Sequence, residues 1–482
     1  MDTLLSVLIK NKNEYSDKLA VNQYTYQQLY LKSLSCMVAI RSLGTKARDR
    51  IVIYTTNIPE DIIALYGIIM AGCISVLVQD EASLQDIVND CEAVMVISSK
   101  SVILNVPTLT IWQCMNMDIN DCGVYPVNEE DIAIIVYTSG STSAKKGVVE
   151  KHRNIFFAAS AIVKALGIAD TDRILVALPL SFDYGLYQIF MSVMVGAYVY
   201  ISQDYRSVAK RTTEIMENRI TIFPATPPLL FSWLPLIRDR ADLSRLRMIT
   251  STGEYFSAAL IRQAMNVLPH IRVVPMYGLT ECKRVSIMPP DAPNDKLMHS
   301  VGICLPQTSA IIVGPDLEPL PVGKSGELIV FGEHIMSGYW NKEEETKQVF
   351  IRRHNQYALK TGDIMRMDED GFLYFSFRNT AFLKQNTIRI STKKVETNIL
   401  KIEGITEACA VNYLDVDQIE KICCFYVGEA NEKDMKKNCL PALEVYEVPH
   451  KFLKLNALPM SDNMKYDRKQ MSEWASNRIA SG

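Results

Sequence analysis

Short apolar runs alternate with longer mixed stretches through the first three-quarters of the chain. The run DRIVIYTT (49–56) predicts a strand, and PEDIIALYGIIMAG (59–72) predicts an amphipathic helix closed by a glycine. AVMVISS (93–99), DIAIIVY (131–137), RILVALPL (173–180), AYVYIS (197–202), ITIFPAT (220–226), LRMITST (246–252) and IRVVPMYG (271–278) are further strand-like runs, several bounded by Pro or Gly. Helical stretches lie between many of them. That alternation predicts α/β units built on buried, mostly parallel sheets. After about residue 300 the texture changes. SAIIVGP, GELIVFG and GFLYFSF read as shorter strands joined by tight turns such as DEDG (368–371). The last hundred residues change again: STKKVETNILKIEGITEACAVNYL reads as helix then strand, and KICCFYVGE as another strand. This is enough for a small α+β domain, with the boundary near residues 377–381.

Composition narrows the class. The 482 residues favour two or more domains, and 48% apolar with 22% charged residues is a globular balance with ample core. A net charge of −3 gives no reason to expect a nucleic-acid or membrane surface. The longest apolar windows, such as FMSVMVGAYVYI, are too short to cross a bilayer. Eleven cysteines without regular spacing, behind an N-terminus unlike a secretory leader, predict reduced thiols in a cytoplasm. There is no CxxC pair or HExxH motif to suggest structural zinc or a zincin.

Candidate chemistry sits at strand ends. After the run IAIIV comes YTSGSTSAKKGVVEKHRN (137–154). Thr138, Ser139, Gly140, Ser141 and Thr142 can ring an anion with hydroxyls and backbone N–H groups, and Lys146 adds a compact positive charge. It is not a Walker loop, because no GK[ST] follows Gly140, and by itself it reads equally well as a polar surface turn. YGLTE (277–281) offers an aromatic face in Tyr277, a glycine turn at Gly278, the Thr280 hydroxyl and a carboxylate, Glu281, of the kind Mg²⁺ prefers. STGE (251–254) and KTGD (360–363) are two more strand-end loops, the latter placing Asp363 where ribose hydroxyls can donate to it. Singly, Tyr277 reads as well as a core aromatic and Asp363 as a turn residue. Their occurrence together, in this order, is harder to dismiss.

With these motifs the chain resembles the AMP-forming adenylating superfamily, which includes acyl-CoA synthetases, luciferases and the adenylation domains of nonribosomal peptide synthetases. YTSGSTSAKKGV resembles the YTSG[ST]TGxPKG loop, MYGLTE the YGxTE motif, and GELIVFGEHIMSGYWN the glycine-tyrosine stretch. LKTGD resembles the TGD motif, RNTAFLKQNTIRI the hinge segment, and LPMSDNMKYDR the C-terminal lysine motif. The resemblance runs from residue 24 to residue 468. It implies a large N-terminal domain (1–377) of stacked α/β sheets with a small distorted β-barrel. A hinge (378–381) and a small mobile C-terminal α+β domain (382–482) would follow. It implies that Thr138 to Thr142 and Lys146 hold phosphate, and that Gly253, Glu254, Tyr277 and Gly278 border the adenine. By the same resemblance Thr280 and Glu281 serve phosphate and Mg²⁺, Asp363 and Arg378 hold the ribose, and Lys465 is the mobile catalytic lysine. ATP, Mg²⁺ and an acceptor phosphopantetheine are the implied cofactors. Departures are Ser143 for glycine, Lys145 for proline, Thr380 for the hinge acid, and Thr387 and Met464 for glycines.

LPLSFDYGLYQIF falls where the family begins its acyl pocket. Asp183, in an otherwise apolar stretch, matches the acid with which amino-acid-activating members hold an ammonium. A helix cap or an internal bond is the structural alternative. Cys282 and Lys283 follow Glu281 and are expected near the pocket; Lys283 would pair with an acidic substrate or with Asp183 itself. The leading expectation is a free-standing ligase that adenylates an amino acid or other small acid and loads a separate carrier protein. A small-acid, aryl-acid or fatty-acid CoA ligase is the alternative, and a silent nucleotide-binding relative the third.

Overall fold

In a computed structural model the chain is described over residues 3–119, 123–138, 145–237, 242–353, 356–378, 382–385, 388–415, 419–444 and 447–477. It divides into two units, residues 1–310 with 330–360, and residues 311–329 with 361–482. The expected hinge falls mostly outside the described residues, as do Thr380 and Thr387.

Two large sheets build the first unit. One has seven strands in the order Gly338–Tyr339, Lys146–Lys151, Ile132–Thr138, Ile74–Val78, Arg50–Tyr54, Met95–Ser98, Thr108–Thr110. From Ile132–Thr138 onward its neighbours are parallel, and the first two strands are added antiparallel. Nine strands form the other, whose centre runs Arg272–Tyr277, Met248–Ser251, Ile222–Pro224, Arg173–Val176, Tyr198–Ile201, all parallel. Ile74–Val78 and Met95–Ser98 are buried at every position. Parallel strands covered on both faces need continuous apolar runs, which is why the sequence shows runs here and not alternation.

The helix expected to be amphipathic is not. Glu60–Met70 is buried at all eleven positions, as a helix must be when it is covered on every side. Its two acids survive burial because they are bonded. Tyr24 OH donates to Glu60 at 2.6 Å, and Asp61 accepts from Thr55 Oγ1 at 2.6 Å and from the Ile58 amide at 3.0 Å. Beside it Asn57, fully buried with φ +62°, ties the carboxyl ends of the two sheets together. Its Oδ1 accepts from Leu180 N at 2.8 Å and its Nδ2 donates to Ser202 O at 3.2 Å.

In the second unit, strands Ser309–Val313, Ser325–Phe331, Gln356–Met367 and Leu373–Arg378 lie wholly or mostly within it and form a small sheet. Its order is an open path, with no closed barrel among the described residues. The DEDG turn closes as expected, Gly371 N donating to Asp368 O at 3.1 Å with Gly371 at φ +82°. Further on, Ile405–Leu414 pairs antiparallel with Glu420–Gly428, which pairs parallel with Lys451–Lys454. Helix Arg468–Asn477 covers one face of this sheet through Met471 and Ala475 against Cys409, Cys423 and Phe425. No described helix is long and apolar enough to cross a membrane.

Candidate active site

Two strands set the frame of the expected phosphate loop. Ile132–Thr138 and Lys146–Lys151 form an antiparallel hairpin in which Thr138 faces Lys146. Ser139, Gly140, Ser141, Thr142 and Ser143 lie outside the described residues. The chain returns as a strand, which distinguishes this loop from one that opens a helix. Lys145, where the family has proline, anchors the hairpin: its Nζ lies 3.0 Å from Asp80 Oδ2 and 2.5 Å from Ser83 Oγ. Lys146 instead sits over the ring of Tyr339, 5.0 Å from its centroid.

Tyr339 is the link the sequence did not announce. Its strand pairs with the hairpin, Tyr339 opposite Val148, and Trp340 N donates to Gly147 O at 2.8 Å. Its hydroxyl donates to Glu281 Oε1 at 2.8 Å, while Met336 N donates to Glu281 O at 2.8 Å. Lys146, over the ring face, and Glu281, at the hydroxyl, are thus both brought to Tyr339. Glu281 lies in a single turn, Thr280–Cys282, directly after strand Arg272–Tyr277. Gly278 makes that turn possible. A Cβ there would stand 1.7 Å from the Lys283 carbonyl oxygen, so only glycine lets the backbone close on itself. Tyr277 is buried at the strand end. Gly253, at φ +91°, and half-buried Glu254 follow the adjacent parallel strand Met248–Ser251. Both expected adenine-side segments therefore leave the same edge of the sheet. A magnesium ion takes oxygen ligands and keeps several of its waters. Among the described residues no group of three or more His, Cys, Asp or Glu is gathered. Glu281, the carboxylate expected to ligate it, fits an ion held mainly by phosphate and water.

Asp183 opens helix Asp183–Val195, and its helical neighbours Tyr184 and Tyr187 are buried. Lys283 Nζ lies 3.5 Å from Asp183 Oδ2 and 2.5 Å from Glu150 Oε1. Tyr187 OH donates to Glu150 Oε2 at 2.7 Å. Tyr184 OH lies 2.7 Å from Thr250 Oγ1, and Arg284 stacks on the Tyr184 ring at 5.2 Å. Burial disfavours the charged form of Lys283, but two carboxylates outweigh it and its pKa is raised. Burial pushes Glu150 above the usual carboxylate range, with Lys283 and Tyr187 opposing. Of the two acids, Glu150 is the sealed one; the Asp183 side chain keeps 13% exposure. Cys282 is fully buried. Glu150, Tyr187 and Arg284 were not picked out from the sequence. The available signal was a carboxylate inside the strand GVVEK and a Lys-Arg pair leading into the apolar run VSIM.

The second unit carries the remaining expected residues. Asp363 is buried on Gln356–Met367 and is the register partner of Arg378 across the antiparallel pair. Its turn is held by Thr361 Oγ1 donating to Leu328 O at 2.8 Å and Gly362 N to Glu327 Oε1 at 3.1 Å. Lys465 sits in a narrow loop closed by an isolated bridge between Met460 and Tyr466, with Ser461 N donating to Lys465 O at 2.7 Å. Tyr466 OH donates to buried Glu407 at 2.9 Å. Arg468 Nη1 lies 2.5 Å from Glu396. Met464 has φ +55° and is 2% exposed. A residue bound to that conformation is why glycine suits the position, and methionine holds it by burying its side chain.

The chain matches the family described as "AMP-binding enzyme" over residues 9–340. Tyrocidine synthase 1 of Brevibacillus parabrevis is 27% identical over 490 residues, covering 95% of this chain and 44% of that protein. Probable CoA ligase CCL5 of Humulus lupulus is 26% identical over 364 residues, 73% of this chain and 66% of the relative. The chain thus spans less than half the length of the first of these. The crystal structure of ATP-bound MatB from Rhodopseudomonas palustris shares the fold with a TM-score of 0.86 at 20% identity, over 99% of this chain and 100% of that one. Motifs, fold and family match agree: the chain belongs to the AMP-binding enzymes, the adenylating superfamily its loops resemble.

Proposed function

We propose that this protein uses ATP to convert a small carboxylic acid, most readily an amino acid, into an acyl-AMP. It then passes the acyl group to the phosphopantetheine thiol of a separate carrier protein. The observation that carries this reading is the convergence of Lys146 and Glu281 on Tyr339 at the base of the hydroxyl-rich hairpin. An acid oxygen attacks the α-phosphorus and pyrophosphate leaves. Little proton movement is needed, so alignment of two anions and neutralisation of growing charge supply most of the acceleration. In this reading Lys146 serves the polyphosphate, Asp363 and Arg378 the ribose, Tyr277 the base, and Lys465 the charge that develops at the α-phosphate. Mg²⁺ bound by Glu281 would add charge neutralisation. Asp183, the more exposed acid of the buried pair, receives the ammonium.

A second reading is favoured by one contact. Lys283 already lies 3.5 Å from Asp183, so an acid without an ammonium, delivered to CoA, is the competing assignment. ATP–pyrophosphate exchange over amino, aryl and short fatty acids tests adenylation. Labelled acid offered to CoA and to a purified carrier then tests the acceptor. Label on CoA alone rejects the carrier; silence across the panel with folded protein leaves only the non-catalytic relative.

A further inference from the structure

Lys283 and Arg284 are adjacent in sequence and opposite in circumstance. Lys283 is taken up by Glu150 and Asp183. Arg284 is buried too, at 6% exposure. Yet among the described residues no hydrogen bond or ion pair reaches its guanidinium, and its Nε is sealed from solvent without an acceptor. Asp183 acts on it through space only. What it does touch is the face of Tyr184.

A guanidinium presents five N–H donors in a planar fork that matches a carboxylate. Buried charges are paired, or apolar side chains take their place. Stacking on Tyr184 is a task leucine or methionine performs without that desolvation. The location is informative as well. The Tyr184 hydroxyl is bonded to Thr250 near the end of Met248–Ser251, and Arg284 follows the end of the neighbouring strand Arg272–Tyr277. The carboxyl ends of parallel strands are where α/β sheets bind ligands.

We infer that Arg284 receives an anionic group of the acid substrate other than the carboxylate being activated, so that the substrate is a short diacid, with or without an amino group. The inference rests on the adenylation reading above. Asp183 and Arg284 then meet oppositely charged ends of an amino diacid, while Lys283 serves to neutralise Glu150.

The test is ATP–pyrophosphate exchange on the full chain with matched pairs. A four-carbon diacid and its amino counterpart are each compared with the acid whose distal carboxylate is replaced by methyl. The expected result is a preference of about 10²-fold or more in kcat/KM for the diacids. Arg284→Met should reduce diacid exchange by about 10²–10³-fold with the KM for ATP unchanged, and Arg284→Lys should recover part of it. Preference for the methyl analogues by the unaltered chain overturns the inference and leaves adenylation standing, whatever the variants' folding. Diacid preference untouched in a folded Arg284→Met overturns the assignment to Arg284. Silence with every acid overturns both readings together.

Discussion

At the scale of single residues, the buried charges decide most. Lys283 offsets Glu150 at 2.5 Å with both side chains almost sealed. Removing only the cation strands a carboxylate in the interior, whereas removing both leaves an apolar gap. Lys283→Met is therefore expected to destabilise by about 3–5 kcal/mol, read from urea unfolding, and adding Glu150→Leu should restore much of that. Lys465 has a different task. It is proposed to act on transition-state charge, so Lys465→Ala should slow acyl-AMP formation by about 10²–10³-fold with stability little changed; unchanged exchange would remove it from the chemistry. Met464 shows two effects in competition. Its left-handed backbone costs about 1–2 kcal/mol, and burying a methionine returns about as much or more. In the sequence Met464 is a departure from the family's glycine, and the burial that offsets its backbone cost is settled by packing.

At the scale of elements, apolar runs gave the strands well, because a parallel strand buried on both faces has a local signature. Helix Glu60–Met70 was recognised as a helix but not as one buried all round. Its charged residues are Glu60 and Asp61, and their partners Tyr24 and Thr55 are supplied by neighbouring segments. The turn Thr280–Cys282 makes a sharper case. Gly278 has no room for a Cβ, its obstacle being backbone and not a side chain that could rotate away. Gly278→Ala should displace Glu281, Lys283 and Arg284 together and abolish exchange. Gly44→Ala, at φ +78° with open space around it, should cost about 1–2 kcal/mol and leave the exchange rate intact. Equal effects from both variants, measured by exchange and urea midpoint, would reject this account of the turn.

At the scale of the whole molecule, buried titratable groups set the response to acid. Burial depresses His152 and His334 to about 4, so below about pH 6.5 the unfolded chain takes protons that the folded chain refuses, and stability falls with acidification. Burial raises Asp61 to about 7, against the hydrogen bonds from Thr55 and Ile58. Its effect has the opposite sign, favouring the folded state as pH drops from 7 towards 4, and so it masks part of the histidine loss. Asp61→Asn keeps the acceptor oxygen and removes the titration. Between pH 7 and pH 5 the variant should lose about 2 kcal/mol more than the parent, seen as a larger shift of the urea midpoint; parallel pH profiles would refute it. The amino-acid sequence by itself determined the α/β alternation, the strand-end loops and the superfamily, since each is written in residues a few positions apart. Tertiary structure alone decided that Lys283, expected to pair with an acidic substrate or with Asp183, would meet Glu150 as well as Asp183, that Tyr339 would join Lys146 to Glu281, and that Arg284 would be buried with no hydrogen-bond or ion-pair partner among the described residues. The physical reason is range. Periodicity and turn chemistry are local, but the cost of a buried charge is fixed by whatever distant segment the fold packs against it.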